Sequence, residues 1–287
     1  MKRVIGIYSA PRQHWVGDGF PVRSLFSYQT HGRALSPFLL LDRAGPAHFE
    51  PADHARGVGE HPHRGFETVT IVYEGGVAHR DSSGGGGAIG PGDVQWMTAG
   101  AGIVHEEFHA ESFGKRGGEF EMAQLWVNLP AKDKKTPARY QHLAKDNITV
   151  VPLADDAGHA RIIAGRFGSA DGAAETFTEL NVWDIVLNSG AGADLDVPAS
   201  HNLMLVVLRG EVRINGGQSV QASQMATFER ESGSVKVEAV GGEAKILLLS
   251  GVPIDEPVVG YGPFVMNTEA EIAEVMNEFR SGKFGAV

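Results

Sequence analysis

Residues 61–76 read His61–Pro62–His63–Arg64–Gly65–Phe66–Glu67–Thr68–Val69–Thr70–Ile71–Val72–Tyr73–Glu74–Gly75–Gly76. Thr68–Tyr73 is a short run of β-branched and aromatic side chains, and the glycine pair behind it marks a turn. Runs of the same kind recur at Pro37–Leu41, Met122–Leu129, Ile148–Val151, Val182–Leu187, Leu203–Leu208, Glu211–Ile214 and Lys245–Leu249, separated by Gly, Pro, Asp and Asn. Many short strands at this spacing predict an all-β sandwich or barrel. Asn215–Gly216–Gly217 lies between two such runs and predicts a hairpin, because the turn needs positive φ, which Asn and Gly adopt at little cost.

Helical periodicity is confined to the end of the chain. Asn267–Thr268–Glu269–Ala270–Glu271 supplies a capping residue and acidic groups that complement the helix dipole. Ile272, Val275, Met276 and Phe279 then share one face, and Gly282 is the predicted stop. One amphipathic helix packing on a β body is expected, its apolar stripe facing the core. Pro130–Lys145 differs from the rest, being rich in Lys and Arg and poor in apolar residues, and reads as a connection between two β units.

The 287 residues include 38 glycines and no cysteine, so disulfides, thiolate nucleophiles and sulfur-ligated metals are excluded. Any metal must take nitrogen and oxygen ligands. A formal net charge of −10 argues against direct nucleic-acid binding, which needs a basic surface. The basic start Met1–Lys2–Arg3 is followed too soon by Arg12, Gln13 and His14 for a signal peptide, and apolar runs such as Leu203–Leu208 fall far short of the ~20 residues of a membrane span. A soluble, cytoplasmic protein is expected.

The densest chemistry is His61–Pro62–His63. Side chains two apart on a strand point the same way, about 6.8 Å apart at Cα. Two such imidazoles can converge on one cation at roughly 2.0–2.1 Å. Pro62 cannot donate to a ladder, which predicts a strand start or an edge. Beyond the turn Gly90–Pro91–Gly92–Asp93, His105 and Glu107 repeat the two-apart spacing, and the intervening strands suffice to fold the second pair onto the first. Glu67 shares the parity of His61 and His63 but lies further along, so geometry favours Glu107 as fourth ligand and leaves Glu67 as an inward carboxylate. Glu106 has the opposite parity. His79 and His109 read as loop or pocket-rim residues; His14, His31, His48, His54, His142, His159 and His201 read as non-ligands. Ser82–Ser83–Gly84–Gly85–Gly86–Gly87 lacks the lysine and helix of a phosphate loop and reads as a flexible hairpin near the mouth of the site.

His61–Val69, Glu74–Gly75–Gly76 and Pro91–Gly100 (Pro–Gly–Asp–Val–Gln–Trp–Met–Thr–Ala–Gly) together resemble the pirin family, two-domain members of the cupin superfamily. The likeness extends to Pro37–Asp42, Gln124–Pro130 and Gly262–Asn267, and so spans most of the chain. It implies a bicupin: two cupin-type β-barrels with a C-terminal α-helix. The expected division is a metal-binding barrel at 1–130, a linker at 131–145, a metal-free barrel at 146–265, and helix and tail at 266–287.

The resemblance also implies iron (Fe2+ or Fe3+) held by His61, His63, His105 and Glu107, with Zn, Cu, Mn, Ni or Co as other possible occupants. The activity implied is that of a quercetin 2,3-dioxygenase, acting on a flavonol and O2 and releasing carbon monoxide, with Glu107 or Glu67 as the catalytic carboxylate that accepts the substrate proton. Four such ligands leave open positions on an octahedral ion. Two other readings accompany this one. The first is an iron-dependent redox-sensing regulator that binds a transcription factor or a metabolic enzyme; the second is a structural zinc site.

Overall fold

The computed structural model describes residues 1–287 and divides them into two compact β units. One comprises Arg12–Thr30, Phe38–Lys145 and Ile254–Val287. Its larger sheet has seven antiparallel strands, in the order Arg139–Leu143, Val94–Thr98, Phe66–Glu74, Gly118–Asn128, Phe38–Phe49, Phe20–Ser27 and His14–Val16. A second sheet runs Gly57–His63, Ile103–His109, Val77–Asp81, Gly86–Ile89. Phe20, Val22, Val72, Phe120 and Met122 of the first sheet share a buried cluster with Val77 and Ile89 of the second, so the two sheets close on one core.

The other unit comprises Met1–Pro11, His31–Pro37 and Asp146–Pro253 and repeats the plan. Its seven-stranded sheet runs Val4–Ser9, Gln224–Phe228, Asn202–Arg209, Ala244–Gly251, Leu180–Leu187, Gly158–Ala164, Thr149–Pro152, and its four-stranded sheet Gly192–Asp196, Ser234–Ala239, Glu211–Ile214, Gln218–Gln221. Trp183, Leu205 and Ile246 meet Leu195, Val212 and Val237 in its core. The hairpin forms at Asn215 and Gly216, with φ of 52° and 72°. No helix is long and apolar enough to cross a membrane.

The units do not follow the divisions 1–130, 131–145, 146–265 and 266–287. Val4–Ser9 pairs antiparallel with Gln224–Phe228, more than 200 residues on, and so belongs with the later half. Residues 254–287 belong with the earlier one: Val265 N–H donates to the Arg64 carbonyl (3.1 Å) and Arg64 N–H to the Pro263 carbonyl (3.3 Å). The basic connection is also structured. Arg139–Leu143 pairs with Val94–Thr98, and the Lys134 ammonium is buried, donating to the Gly65 and Val265 carbonyls and to Asn128 Oδ1.

The terminal helix spans Glu269–Arg280, after two shorter ones at Tyr28–His31 and Glu111–Arg116. Thr268 caps it, its Oγ1 accepting from Glu271 N–H at 3.2 Å. Ile272 and Val275 are buried against Phe264, Met266 and Val104, which stabilises the docked helix by roughly 1.5–3 kcal/mol per side chain. Phe279 is 38% exposed, so the apolar stripe is narrower than its spacing suggests. Gly282, with φ of 76°, follows the C-cap.

Candidate metal centre

Gly57–His63 is an edge strand, paired on one side only, as Pro62 requires. His105 lies directly opposite His61 and Ile103 opposite His63, whereas Glu107 lies opposite Val58. The extra residue on the Gly57–His63 side is a β-bulge, which turns the strand locally. The ring centroids of His61 and His105 are 4.2 Å apart, those of His63 and His105 4.7 Å, and those of His61 and His63 5.0 Å. Nitrogens of all three rings lie within 4.8 Å of one another.

The rings are in the right state to coordinate. Burial holds the pKa of His63 well below the usual imidazole value, with the His61 ring adding to the effect; burial does the same to His105, reinforced by the rings of His63 and His61. Both are therefore neutral near pH 7, the form that offers a lone pair to a metal. His63 Nδ1 and His105 Nε2 are buried with no hydrogen-bond partner, a costly arrangement unless something else meets them. The third ring, His61, is half-buried and directs Nδ1 to the Gly59 carbonyl at 2.9 Å, leaving Nε2 unspent. Three imidazoles, each bringing a ring nitrogen within 4.8 Å of the others, fit a nitrogen-loving divalent cation.

The carboxylates divide as follows. Glu107 is buried, and its nearest ligand-type neighbours are His105 and His79, all three within 4.8 Å of one another; it does not complete a single group with His61 and His63. The Thr70 hydroxyl lies 3.3 Å from Glu107 Oε1 and 2.8 Å from Gln124 Oε1. Glu67 is 1% exposed and stands apart from both groups, accepting from the Thr98 hydroxyl at 2.7 Å. Burial pushes its pKa up to about 7, against the hydrogen bond from Thr98. Glu106 is turned away and pairs with Arg80.

His79 is not on the rim. It is 1% exposed, opposite Glu107 in the ladder, with Nδ1 3.1 Å from His105 Nδ1 and Nε2 3.0 Å from Asp81 Oδ2. Tyr140 stacks on its ring at 5.3 Å and 18°. Burial, with the charges of Asp81 and Glu107 adding, pushes the Tyr140 hydroxyl up to about 12, so it stays a neutral phenol. His79–x–Asp81 has the same two-apart spacing as the other pairs, and that was the available hint; the register that sets it against His105 is not written locally. His109 is a core residue, stacked on Phe120 at 4.8 Å with Nε2 donating to the Gly19 carbonyl at 2.9 Å.

Paired antiparallel sheets with histidines gathered on facing strands define a cupin-type fold with a side-chain group that could hold a metal ion. Comparison with known proteins gives the narrower grouping: the pirin family profile matches residues 19–127 and the pirin C-terminal cupin domain matches 182–285. A Pseudomonas aeruginosa protein, provisionally named a quercetin 2,3-dioxygenase, is 55% identical over 99% of both chains. The crystal structure of a quercetin 2,3-dioxygenase from Acinetobacter baumannii superposes with a TM-score of 0.97 at 52% identity, covering 100% of this chain and 99% of that one. A bacterial pirin from Escherichia coli, crystallised with nickel(II), shares the fold at a TM-score of 0.68 and 21% identity, over 86% and 99% of the two chains. The chain belongs to the pirin family.

Proposed function

We propose that this protein is a metal-dependent flavonol 2,3-dioxygenase, its ion held by His61, His63 and His105 with Glu107 as the carboxylate ligand. The observation that carries the reading is the set of three facing imidazoles with two buried nitrogens left unpartnered. The names of the P. aeruginosa and A. baumannii relatives support the reaction class. Iron is the proposed occupant; nickel, reported in the E. coli pirin, suits the same nitrogen donors. When bound, such an ion supplies positive charge and open coordination positions for an enolic oxygen and for O2.

The chain's own groups do the rest. The neutral rings of His63 and His105 add no charge, so with Glu107 as the one anionic ligand a bound divalent ion would keep net positive charge and attract an anionic flavonol. Glu67, whose pKa burial raises to about 7, is the carboxylate matched to accept the proton of the flavonol hydroxyl near neutral pH. Phe66 and Trp126 meet the His63 ring edge-on at 5.2 and 5.4 Å and hold its plane beside the cluster. The test is oxygen uptake and carbon monoxide release with quercetin, using protein fully loaded with Fe2+ or Ni2+ and a His63→Ala control. Full metal occupancy with no oxygen consumption on any flavonol removes the dioxygenase reading.

A further inference from the structure

The serine- and glycine-rich turn after Asp81 does more than connect two strands. Asp81 Oδ1 accepts three hydrogen bonds from it: Ser83 N–H at 2.8 Å, the Ser83 hydroxyl at 2.6 Å and Gly85 N–H at 3.1 Å. Its other oxygen, Oδ2, faces His79 Nε2 at 3.0 Å. Glycine is required at position 85 by space, since a Cβ there stands 2.5 Å from Asp81 Oδ2 and 3.0 Å from Tyr140 Cβ. A carboxylate that meets four donors is an acceptor only. His79 Nε2 must therefore carry a proton and donate. In a neutral ring this leaves Nδ1 as a lone pair, and the group facing that lone pair at 3.1 Å is His105 Nδ1. His105 must then donate from Nδ1, which leaves Nε2 bare. That nitrogen is the buried, unpartnered one.

We propose that Asp81 and His79 form a tautomer relay that positions His105, fixing its proton on Nδ1 so that Nε2 is held deprotonated for a metal ion. The turn 82–85 anchors the relay at one end, and Tyr140, stacked on His79, fixes the ring plane. His79 and Asp81 are thus positioning residues acting through His105. The inference rests on the metal-site reading above. It adds the direction in which every proton in the chain Ser83–Asp81–His79–His105 must point.

Asp81→Asn reverses that direction. Three donors hold the Oδ1 position, so the amide oxygen takes it and the NH2 faces His79 Nε2. His79 must then accept at Nε2 and donate from Nδ1, which forces the His105 proton onto Nε2. Imidazole nitrogen NMR of 15N-histidine-labelled, metal-free protein reads the tautomers directly, and nickel(II) titration calorimetry reads the consequence. The expected result is an Nδ1–H His105 in the unaltered protein, an Nε2–H His105 in Asp81→Asn, and nickel binding weakened about 10–100-fold. Glu106→Gln, on the same strand as His105 but turned away to Arg80, serves as a control that leaves nickel affinity unchanged. Equal nickel affinity in Asp81→Asn overturns the relay. So does a His105 proton on Nε2 in the unaltered protein, a result independent of whether the variant folds. Failure of the unaltered protein to bind nickel at all, with the His105 proton on Nδ1, overturns instead the metal reading, and with it the purpose assigned to the relay.

Discussion

Replacing Glu67 by Gln is expected to stabilise the metal-free protein at alkaline pH and leave it unchanged in acid. Glu67 is 1% exposed, and burial raises its folded pKa from 4.5 to about 7. A carboxyl with a raised folded pKa binds more protons folded than unfolded between those two values. Its contribution to stability is thus fully present below pH 4.5 and lost as pH climbs through 7. At about 1.36 kcal/mol per unit, that loss is about 3 kcal/mol. Gln is close in size, accepts from the Thr98 hydroxyl through its amide oxygen, and has no charge to bury. The difference between the two proteins is expected to be near zero at pH 4.5 and about 3 kcal/mol in favour of Glu67→Gln at pH 8. In a unit of this size that is a rise in Tm of roughly 6–12 °C. Thermal unfolding followed by circular dichroism at half-unit steps from pH 4.5 to 8 measures it, and the shared imidazole contributions cancel in the difference. Parallel Tm profiles across that range refute the assignment of a buried, titrating Glu67. For the proposed dioxygenase activity, the same variant should lose the acid limb of kcat/KM near pH 7.

Other consequences are equally specific. Glu121→Gln removes the negative charge that meets the buried Arg43 guanidinium, now bonded to Glu121 Oε1 at 2.6 and 3.1 Å, and should cost about 3–5 kcal/mol in chemical denaturation. Gly65→Ala places a Cβ 2.1 Å from the Val265 carbonyl at a φ of +86°; a loss of about 2–5 kcal/mol is expected, with nickel affinity falling because the turn carries His63. Acidification should destabilise the metal-free protein progressively below about pH 6.5. His63 and His105 have depressed folded pKa values, so the unfolded chain binds protons there that the folded chain refuses. His63→Ala should reduce that slope.

Local chemistry was legible where one residue type dictates a backbone or a face. Asn215–Gly216 announced its hairpin, Thr268 and Glu271 announced a helix start, and Pro62 announced an edge strand. The alternation in His61–x–His63 and His105–x–Glu107 was enough to place three imidazoles together. Long-range register was not legible. Nothing near Val4–Ser9 specifies Gln224–Phe228 as its partner, and Arg139–Leu143, polar on its face, hides its pairing with Val94–Thr98. The same blindness hid His79. Its burial depends on which strand lies beside Ile103–His109, a fact carried by the whole sheet and not by its neighbours in sequence.

The exchange of end segments between the two units has a consequence for biosynthesis. Residues 12–30 and 38–145 are made in the first half of synthesis and contain all four proposed metal ligands, but the strand Phe264–Met266 and the helix Glu269–Arg280 that complete this unit are made last. At about 5–20 residues per second, the nascent unit waits roughly 7–30 s for them. Arg64, directly after His63, has no backbone partner at Pro263 or Val265 until then. The turn that carries His63 is therefore completed only in the nearly finished chain, so the proposed metal site reaches its final geometry after Val265 has been made and not while residues 12–145 stand alone.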